Sequence, residues 1–298
     1  MSASKLGEQR IIIGMPAYNE ERNVASVVLL AQQYADEVIV LDDGSTDRTS
    51  KVAKLAGATV IRHSENKGYG AAAQTIMTEA RKRDPDVLVF IDADAQHNPD
   101  EIPSLVKAIS QGFDVVIGSR RIGENPIPGY RRVGQKVLSY FGNVLSGRKL
   151  SDTESGFRAF SRKALTEITL KEQGMAACAE AISVASAKGL KITEIPVSVV
   201  YTRDGSTYNP IRHGATVLHR IMVMISERRP ILFFGLCGGI SIALGLIAGV
   251  MVIKTYYASY LLATGTALVS MLLITIGMLS IFTGIILSVL VKRMSNRL

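Results

Sequence analysis

From Pro230 onward the chain almost stops carrying charge. Ile231 to Ile253 holds no charged residue, Leu261 to Val291 holds none, and Lys254 alone stands between them. A helix of about 20 apolar residues crosses a hydrocarbon core of roughly 30 Å. Two membrane spans, 231–253 and 261–291, are therefore predicted, the second long enough to tilt or to emerge from the bilayer. Nothing follows them that could bury them as core helices, so the expectation is a C-terminal two-helix transmembrane hairpin. Arg228 and Arg229 precede the first span, and Lys292, Arg293 and Arg297 follow the second. Positive flanks stay in the cytoplasm, which predicts a two-span protein of the cell membrane with the large N-terminal part and both termini cytoplasmic. Tyr256, Tyr257 and Tyr260 suit the opposite interface. The N-terminus runs polar and then straight into a strand, so no signal peptide is expected.

The first 229 residues read differently. Short apolar runs at Ile11–Ile13, Val38–Leu41, Thr59–Ile61, Val87–Ile91 and Val115–Ile117 alternate with segments of helical period such as Val24–Tyr34 and Ala71–Arg83. Strand–helix alternation predicts an α/β fold, a mostly parallel sheet flanked by helices. Tyr18, Asn19, Glu20, Asp42, Asp43, Asp92 and Asp94 each fall just past the end of a strand run. Open α/β sheets bind ligands along that edge. Carboxylates gathered there repel one another unless a cation joins them. Two further segments, 131–148 and 212–229, are basic and amphipathic, able to lie among lipid headgroups or to pack on the sheet. The division expected is a globular domain over 1–208, an interfacial helix over 209–229 and the hairpin over 230–298.

Asp92-Ala93-Asp94-Ala95-Gln96-His97 carries the sharpest chemical signal. In an extended segment Asp92, Asp94 and Gln96 share one side, and their oxygens suit Mg²⁺ or Mn²⁺ holding substrate phosphates. The two cysteines, Cys178 and Cys237, have no metal-site spacing, and a disulfide framework is excluded. His63, His213 and His219 read as packing or surface residues. A net charge of +8 fits a phosphate-bearing partner. Nucleic acid is not expected, since no basic run is interleaved with aromatics and Trp is absent. Gly68 and Gly70 fit neither of the common phosphate-loop patterns. Gly235, Gly238, Gly239 and Gly245 in the first span suit close helix packing, and the glycine-bearing hairpin also leaves room for a homo-oligomer.

These segments resemble the family 2 glycosyltransferases of GT-A fold, in particular the polyprenyl-phosphate sugar synthases. The resemblance rests on Pro16-Ala17-Tyr18-Asn19-Glu20, Asp42 to Asp47, Asn66 to Ala71, Asp92 to His97, Gly118-Ser119-Arg120 and Ser155-Gly156-Phe157-Arg158-Ala159, in that order over roughly residues 10–230. It implies that Pro16, Tyr18, Glu20, Leu41 and Asp43 line the donor's base and ribose, and that Asp92 and Ala93 meet the nucleotide end of the donor. Asp94 and Gln96, with Asp92, would ligate the metal. Arg120 would contact phosphate, Arg203 would sit on the donor side, and Arg131, Arg132, Ser155 and Arg158 would hold the acceptor phosphate. Asp152 becomes the candidate base or acceptor-orienting carboxylate.

The activity implied is metal-dependent inverting transfer of a hexose or N-acetylhexosamine from a nucleotide-diphosphate sugar to a membrane-held polyprenyl phosphate, dolichyl or undecaprenyl. Such a product feeds protein or cell-surface glycosylation. The mannose synthases carry a lysine after the Gly-x-Ser segment, where Arg203-Asp204-Gly205-Ser206-Thr207 has none, so a UDP-sugar is the favoured donor. Two alternatives stay open: a dolichyl-phosphate mannose synthase using GDP-mannose, and a non-catalytic nucleotide-sugar-binding membrane scaffold.

Overall fold

The computed structural model describes residues 9–122, 129–200 and 210–295. Seven strands form one sheet: β1 (Ile11–Ala17), β2 (Glu37–Asp42), β3 (Thr59–Arg62), β4 (Val87–Phe90), β5 (Val115–Ser119), β6 (Arg158–Ser161) and β7 (Ile192–Pro196), in the order β3-β2-β1-β4-β6-β5-β7. The helices between them are α1 (Val24–Ala31), α2 (Thr49–Leu55), α3 (Tyr69–Arg83), α4 (Ile102–Ser110), α5 (Gly129–Ser146), α6 (Arg162–Glu167) and α7 (Ala177–Ala187). All five strands expected from the apolar runs are present. Neither β6 nor β7 was among them.

The strand period explains the two-layered core. Ile11, Ile13, Met15, Val38, Val40, Val87 and Val89 pack on one face with Val24, Val28 and Leu105. Ile12, Ile39, Leu41, Leu88 and Phe90 pack on the other with Ile76, Met77 and Ile182. Strands covered on both faces read as unbroken apolar runs, because alternate side chains enter opposite layers. Gly14 lets α3 approach closely: a Cβ there would stand 2.3 Å from Ile76 Cγ2.

One strand runs against the rest. β6 is antiparallel to both β4 and β5, with Arg158 opposite Phe90 and Ile117. Its reversal places the start of β6 at the edge where β4 and β5 end. The segment before it, Asp152 to Phe157, is thereby delivered to the same rim as the loops after β1, β2, β4 and β5.

The chain divides into two compact units, Met1–Ile221 and Met222–Leu298, so the boundary falls inside α8 (Pro210–Arg228). The second unit contains α9 (Pro230–Ser259) and α10 (Thr264–Ser295). Both are long and apolar enough to cross a membrane, each with a mean hydropathy of 2.4 over an 18-residue stretch. Tyr260 ends α9 in the left-handed conformation, at φ 55°.

Small residues seven apart seam the two helices together. A Cβ on Gly238 would stand 2.6 Å from the Gly277 carbonyl oxygen, and one on Gly277 would stand 2.6 Å from that of Gly238. A Cβ on Gly245 would meet the Ser270 oxygen at 3.0 Å. Ser270 Oγ donates to the Gly245 carbonyl (2.7 Å), Ser241 Oγ to that of Leu273 (2.7 Å) and Ser280 Oγ to that of Phe234 (2.9 Å). A seven-residue repeat keeps one face of each helix toward the other, and close backbone approach replaces the hydrophobic drive that lipid removes. Gly235 and Gly239 differ from the expectation: among the described residues, no atom outside their own helix turn lies within 4 Å of their added Cβ. Gly277→Leu is therefore expected to cost about 1–3 kcal/mol through overpacking, while Gly239→Leu leaves stability unchanged. Thermal unfolding of the two variants in detergent checks the contrast.

Candidate active site

The loops at the rim are laced together before any ligand is considered. The main-chain N–H of Asn19 donates to Ser45 Oγ (2.9 Å), Glu20 N–H to Thr49 Oγ1 (2.8 Å) and Thr46 N–H to Asn19 Oδ1 (2.8 Å). Asn19 takes φ 56°, a conformation Asn tolerates better than most residues. Asp42 accepts from Ser45 N–H (2.7 Å) and from the Ser50 hydroxyl. Asp43 is buried and accepts from the Gly68 and Lys67 N–H groups at 2.7 and 3.0 Å, with His63 Nδ1 at 2.6 Å. Asp43 thus ties the 63–68 segment to the end of β2. Pro16 and Tyr18 keep partial exposure beside it, whereas Leu41 and Ala93 have their side chains in the core.

Past β4 the chain turns instead of running extended. Ala95 adopts φ 59°, and the turn brings Gln96 back onto Asp94. Gln96 N–H donates to Asp94 Oδ1 (3.0 Å) and Gln96 Nε2 to Asp94 Oδ2 (2.7 Å). Asp94 and Gln96 are therefore neighbours, by a turn where strand alternation was expected.

Asp92 lies behind them, with Gly156 as its wall. A Cβ on Gly156 would stand 2.5 Å from Asp92 Oδ2, so only glycine lets the β6 loop close on that carboxylate. Burial, and next the charge of Asp94, push Asp92 up to about 7. Asp94 is also raised, chiefly by burial, and hydrogen bonds from Gln96 and the charge of Arg120 moderate the shift. Glu20 is raised by burial, and the charge of Asp94 adds to it. Three carboxylates thus share one corner with their ionised forms disfavoured.

Arg120 and Asp152 form an ion pair next to this corner. Arg120 Nε donates to Asp152 Oδ2 (2.7 Å) and Nη2 to Oδ1 (2.9 Å). Burial alone would raise the Asp152 carboxyl, but the Arg120 charge and hydrogen bonds outweigh it, and the net shift is downward. His97 is buried against Phe157, ring centroids 5.2 Å apart, and its Nδ1 has no hydrogen-bond partner among the described residues. Burial, with the Arg120 charge second, lowers it to about 4.

The remaining sequence candidates sit elsewhere. Arg158 is buried, and its Nε, Nη1 and Nη2 donate to the carbonyls of Ser155 (2.7 Å), Cys178 (2.6 Å) and Thr153 (2.6 Å). It clamps the loop that carries Gly156. Ser155 is fully buried in that loop. Arg131 and Arg132 fall in the first turns of α5, with side chains outside the described residues, and Arg203 also lies outside them. Sequence reasoning missed Glu154, buried and raised to about 7 by that burial, and Glu194, whose carboxylate fixes the Asp152 loop. The only sequence signal for the first is its place inside the Asp152–Arg158 motif.

The oxygens present suit a hard divalent cation. Among the described residues no group of three or more His, Cys, Asp or Glu gathers as a ready-made cage. Two carboxylates and an amide, completed by substrate phosphates, is nonetheless how Mg²⁺ is commonly held. The raised Asp92 and Asp94 support this fit, because a cation would offset the burial that raises both and the Asp94 charge that adds to the Asp92 shift.

A mixed seven-stranded sheet flanked by helices, with an acidic corner at its rim, defines a glycosyltransferase of GT-A-like fold. The sequence signature described as glycosyl transferase family 2 matches residues 12–169, more than half of the chain. The chain belongs to that family and is a glycosyltransferase. It is 33% identical over 246 residues to the UDP-N-acetylglucosamine–dolichyl-phosphate N-acetylglucosaminyltransferase of Methanococcus voltae, covering 74% of this chain and 97% of that one. It is 30% identical over 223 residues to the dolichyl-phosphate hexose transferase of Haloferax volcanii, covering 74% and 95%. The crystal structure of glucosyl-3-phosphoglycerate synthase from Mycobacterium tuberculosis with Mg²⁺ and uridine diphosphate superposes with a TM-score of 0.58 at 25% identity, over 74% of this chain and 79% of that one.

The raised Asp92 has a consequence for stability. A carboxyl that titrates near 7 folded and near 3.8 unfolded binds its proton more tightly when folded. Its contribution is fully present at low pH and is lost as pH rises from about 4 to about 7. Without divalent ions, Asp92→Asn should be more stable than the parent at pH 8, by a few kcal/mol at most, and equal to it at pH 4. Thermal unfolding in detergent with chelator at both pH values measures this.

Proposed function

We propose that this enzyme moves a hexose or N-acetylhexosamine from a UDP-sugar to a polyprenyl phosphate at the cytoplasmic membrane face, with Mg²⁺ or Mn²⁺. The observation that carries the reading is the Asp92–Asp94 pair beside the Arg120–Asp152 ion pair on one rim of the sheet. The acceptor class is supported by the two dolichyl-phosphate relatives. The uridine donor is supported by the name of the Methanococcus relative and by the nucleotide in the Mycobacterium structure. Positive charge flanking both apolar helices supports the cytoplasmic orientation.

In this reading Asp94 and Gln96, with Asp92, hold the cation. A bound divalent ion supplies charge neutralisation for the departing nucleoside diphosphate. Arg120, held in a fixed plane by two hydrogen bonds, adds a permanent positive charge on the same side. The rim loop carrying Tyr18 and Glu20 receives the base and ribose, and Asp43 shapes the loop opposite. Arg131 and Arg132 meet the acceptor phosphate, while Arg158 and Ser155 act beneath the site by fixing the β6 loop.

Asp152 does little as a proton acceptor. Its lowered pKa makes it a weak base. A phosphate monoester, with a second pKa near 6, is already mostly a dianion at neutral pH. The attacking oxygen needs no proton removed, so positioning and charge account for the rate. The phosphate oxygen attacks the anomeric carbon from the face opposite the diphosphate, and inversion follows.

Asp94→Ala should reduce transfer at least about 100-fold while unfolding behaviour is retained. The measurement is formation of a solvent-extractable lipid-linked sugar from UDP-glucose, UDP-N-acetylglucosamine or GDP-mannose with polyprenyl phosphate and Mn²⁺ or Mg²⁺. Undiminished turnover in that variant, or in excess chelator, overturns the site. Turnover of GDP-mannose alone overturns the donor assignment.

A further inference from the structure

Glu194 stands on β7, opposite Ile117 in the parallel pairing with β5 and outside every motif that the family resemblance uses. Its carboxylate faces the start of the 151–157 loop. Oε2 accepts from the main-chain N–H of Ser151 (2.7 Å), and Oε1 accepts from Ser151 Oγ (3.0 Å) and from the main-chain N–H of Asp152 (2.9 Å). Two consecutive amides and a hydroxyl therefore end on one side chain. Ser119 Oγ joins Ser151 Oγ at 2.6 Å, and Arg121 Nη1 donates to the Ser151 carbonyl at 2.6 Å, binding the loop to the end of β5.

These bonds decide where Asp152 sits. With both its own N–H and that of Ser151 anchored on Glu194, the Asp152 backbone cannot slide along β7. Its carboxylate then emerges buried and holds Arg120 through two side-chain bonds and a main-chain contact of 3.3 Å. The chain of contacts runs from Glu194 to Asp152 to Arg120, and the Arg120 charge acts in turn on Asp92, Asp94 and His97. Guanidinium placement matters because a charge misplaced by an ångström stabilises the departing diphosphate poorly.

We infer that Glu194 is a positioning residue for sugar transfer, anchoring the Asp152 backbone so that Arg120 is held beside the acidic corner. The inference rests on the reading that Arg120 faces the donor diphosphate. Glu194 touches no substrate. A carboxylate is needed because all three partners are donors. Glutamine supplies one acceptor oxygen and turns an N–H₂ group against a donor.

The test uses the purified full-length chain with the donor it turns over, polyprenyl phosphate and Mn²⁺. Glu194→Gln should lower kcat about 10- to 100-fold, as loss of a supporting contact typically does, with donor KM changed less than about threefold and the unfolding midpoint retained. Glu194→Asp keeps the charge and should recover part of the loss. In an Asp152→Asn background, Glu194→Gln should add almost nothing, since it acts through that residue. Wild-type kcat in Glu194→Gln overturns the proposal, as does a full multiplicative loss in the Asp152→Asn background. Should Glu194→Gln fail to fold, Glu194→Asp enters the same cycle. If no donor is turned over, or Asp94→Ala retains activity, the functional reading has failed instead. The cycle is then read on affinity for UDP and GDP with Mn²⁺, where an equal loss in both backgrounds overturns the positioning role.

Discussion

Two carboxylates pressed together at the end of one strand set the terms for everything around them. Asp92 and Asp94 follow β4, the strand at the middle of the sheet, and both are largely buried there. Burial raises the pKa of both, and the charge of Asp94 raises that of Asp92 further. The surrounding chain answers with positive charge and donors: Arg120 at the end of β5, the Gln96 amide folded back by the Ala95 turn, and the bare Cα of Gly156 where any larger residue would collide. The site is thus an arrangement of unfavourable charge held in place by a favourable core, which is how functional sites commonly depart from the best local stability.

The reversed strand makes that arrangement available. In a wholly parallel sheet the segment before a strand lies at the edge opposite to the ligand edge. Because β6 runs the other way, its leading segment reaches the rim, and Asp152, Ser155 and Gly156 arrive beside Asp92 and Arg120. Arg158 then fastens that segment by donating to three main-chain carbonyls, and Glu194 fastens its other end. A loop held from both ends can keep an ion pair in one geometry while charge builds up beside it. This is the preorganisation that electrostatic catalysis requires.

The sequence made some of this legible and hid the rest for physical reasons. β1, β2, β4 and β5 were readable because burial on both faces gives continuous apolar runs, and the acidic residues beyond them were readable because they interrupt those runs. β6 is Arg-Ala-Phe-Ser, four residues with too little apolar length to stand out, and its direction cannot be seen in any local pattern. Glu194 sits in a strand of half-buried residues, and its importance lies in partners more than 40 positions away. Asp94 and Gln96 do lie side by side, but through a left-handed turn at Ala95, which Ala seldom adopts, and not through strand alternation. The resemblance assigns Leu41 to the donor and Arg158 to the acceptor phosphate, yet their side chains point into the core and under the loop. A motif records which residue is required and not which way it faces. The hairpin was legible from composition alone. Only the packing separates Gly238 and Gly245, which face α10, from Gly235 and Gly239, which do not.

The electrostatics also bear on which kind of acceptor this rim can serve. An alcohol would need a base poised near neutrality close to the attacking oxygen. Asp152, the carboxylate best placed by its motif, is driven away from that range by Arg120, and His97, lowered to about 4, is too weak a base to take its place. Asp92 and Glu154 do titrate near 7, but burial raises both, one behind the Gly156 wall and the other within the loop. A nucleophile that arrives already ionised needs no such group. The same positive charge that disables Asp152 as a base would favour an anionic acceptor and an anionic leaving group together. In the proposed reaction, charge stabilisation of this kind would carry more of the rate than proton transfer, which accords with attack by a phosphate.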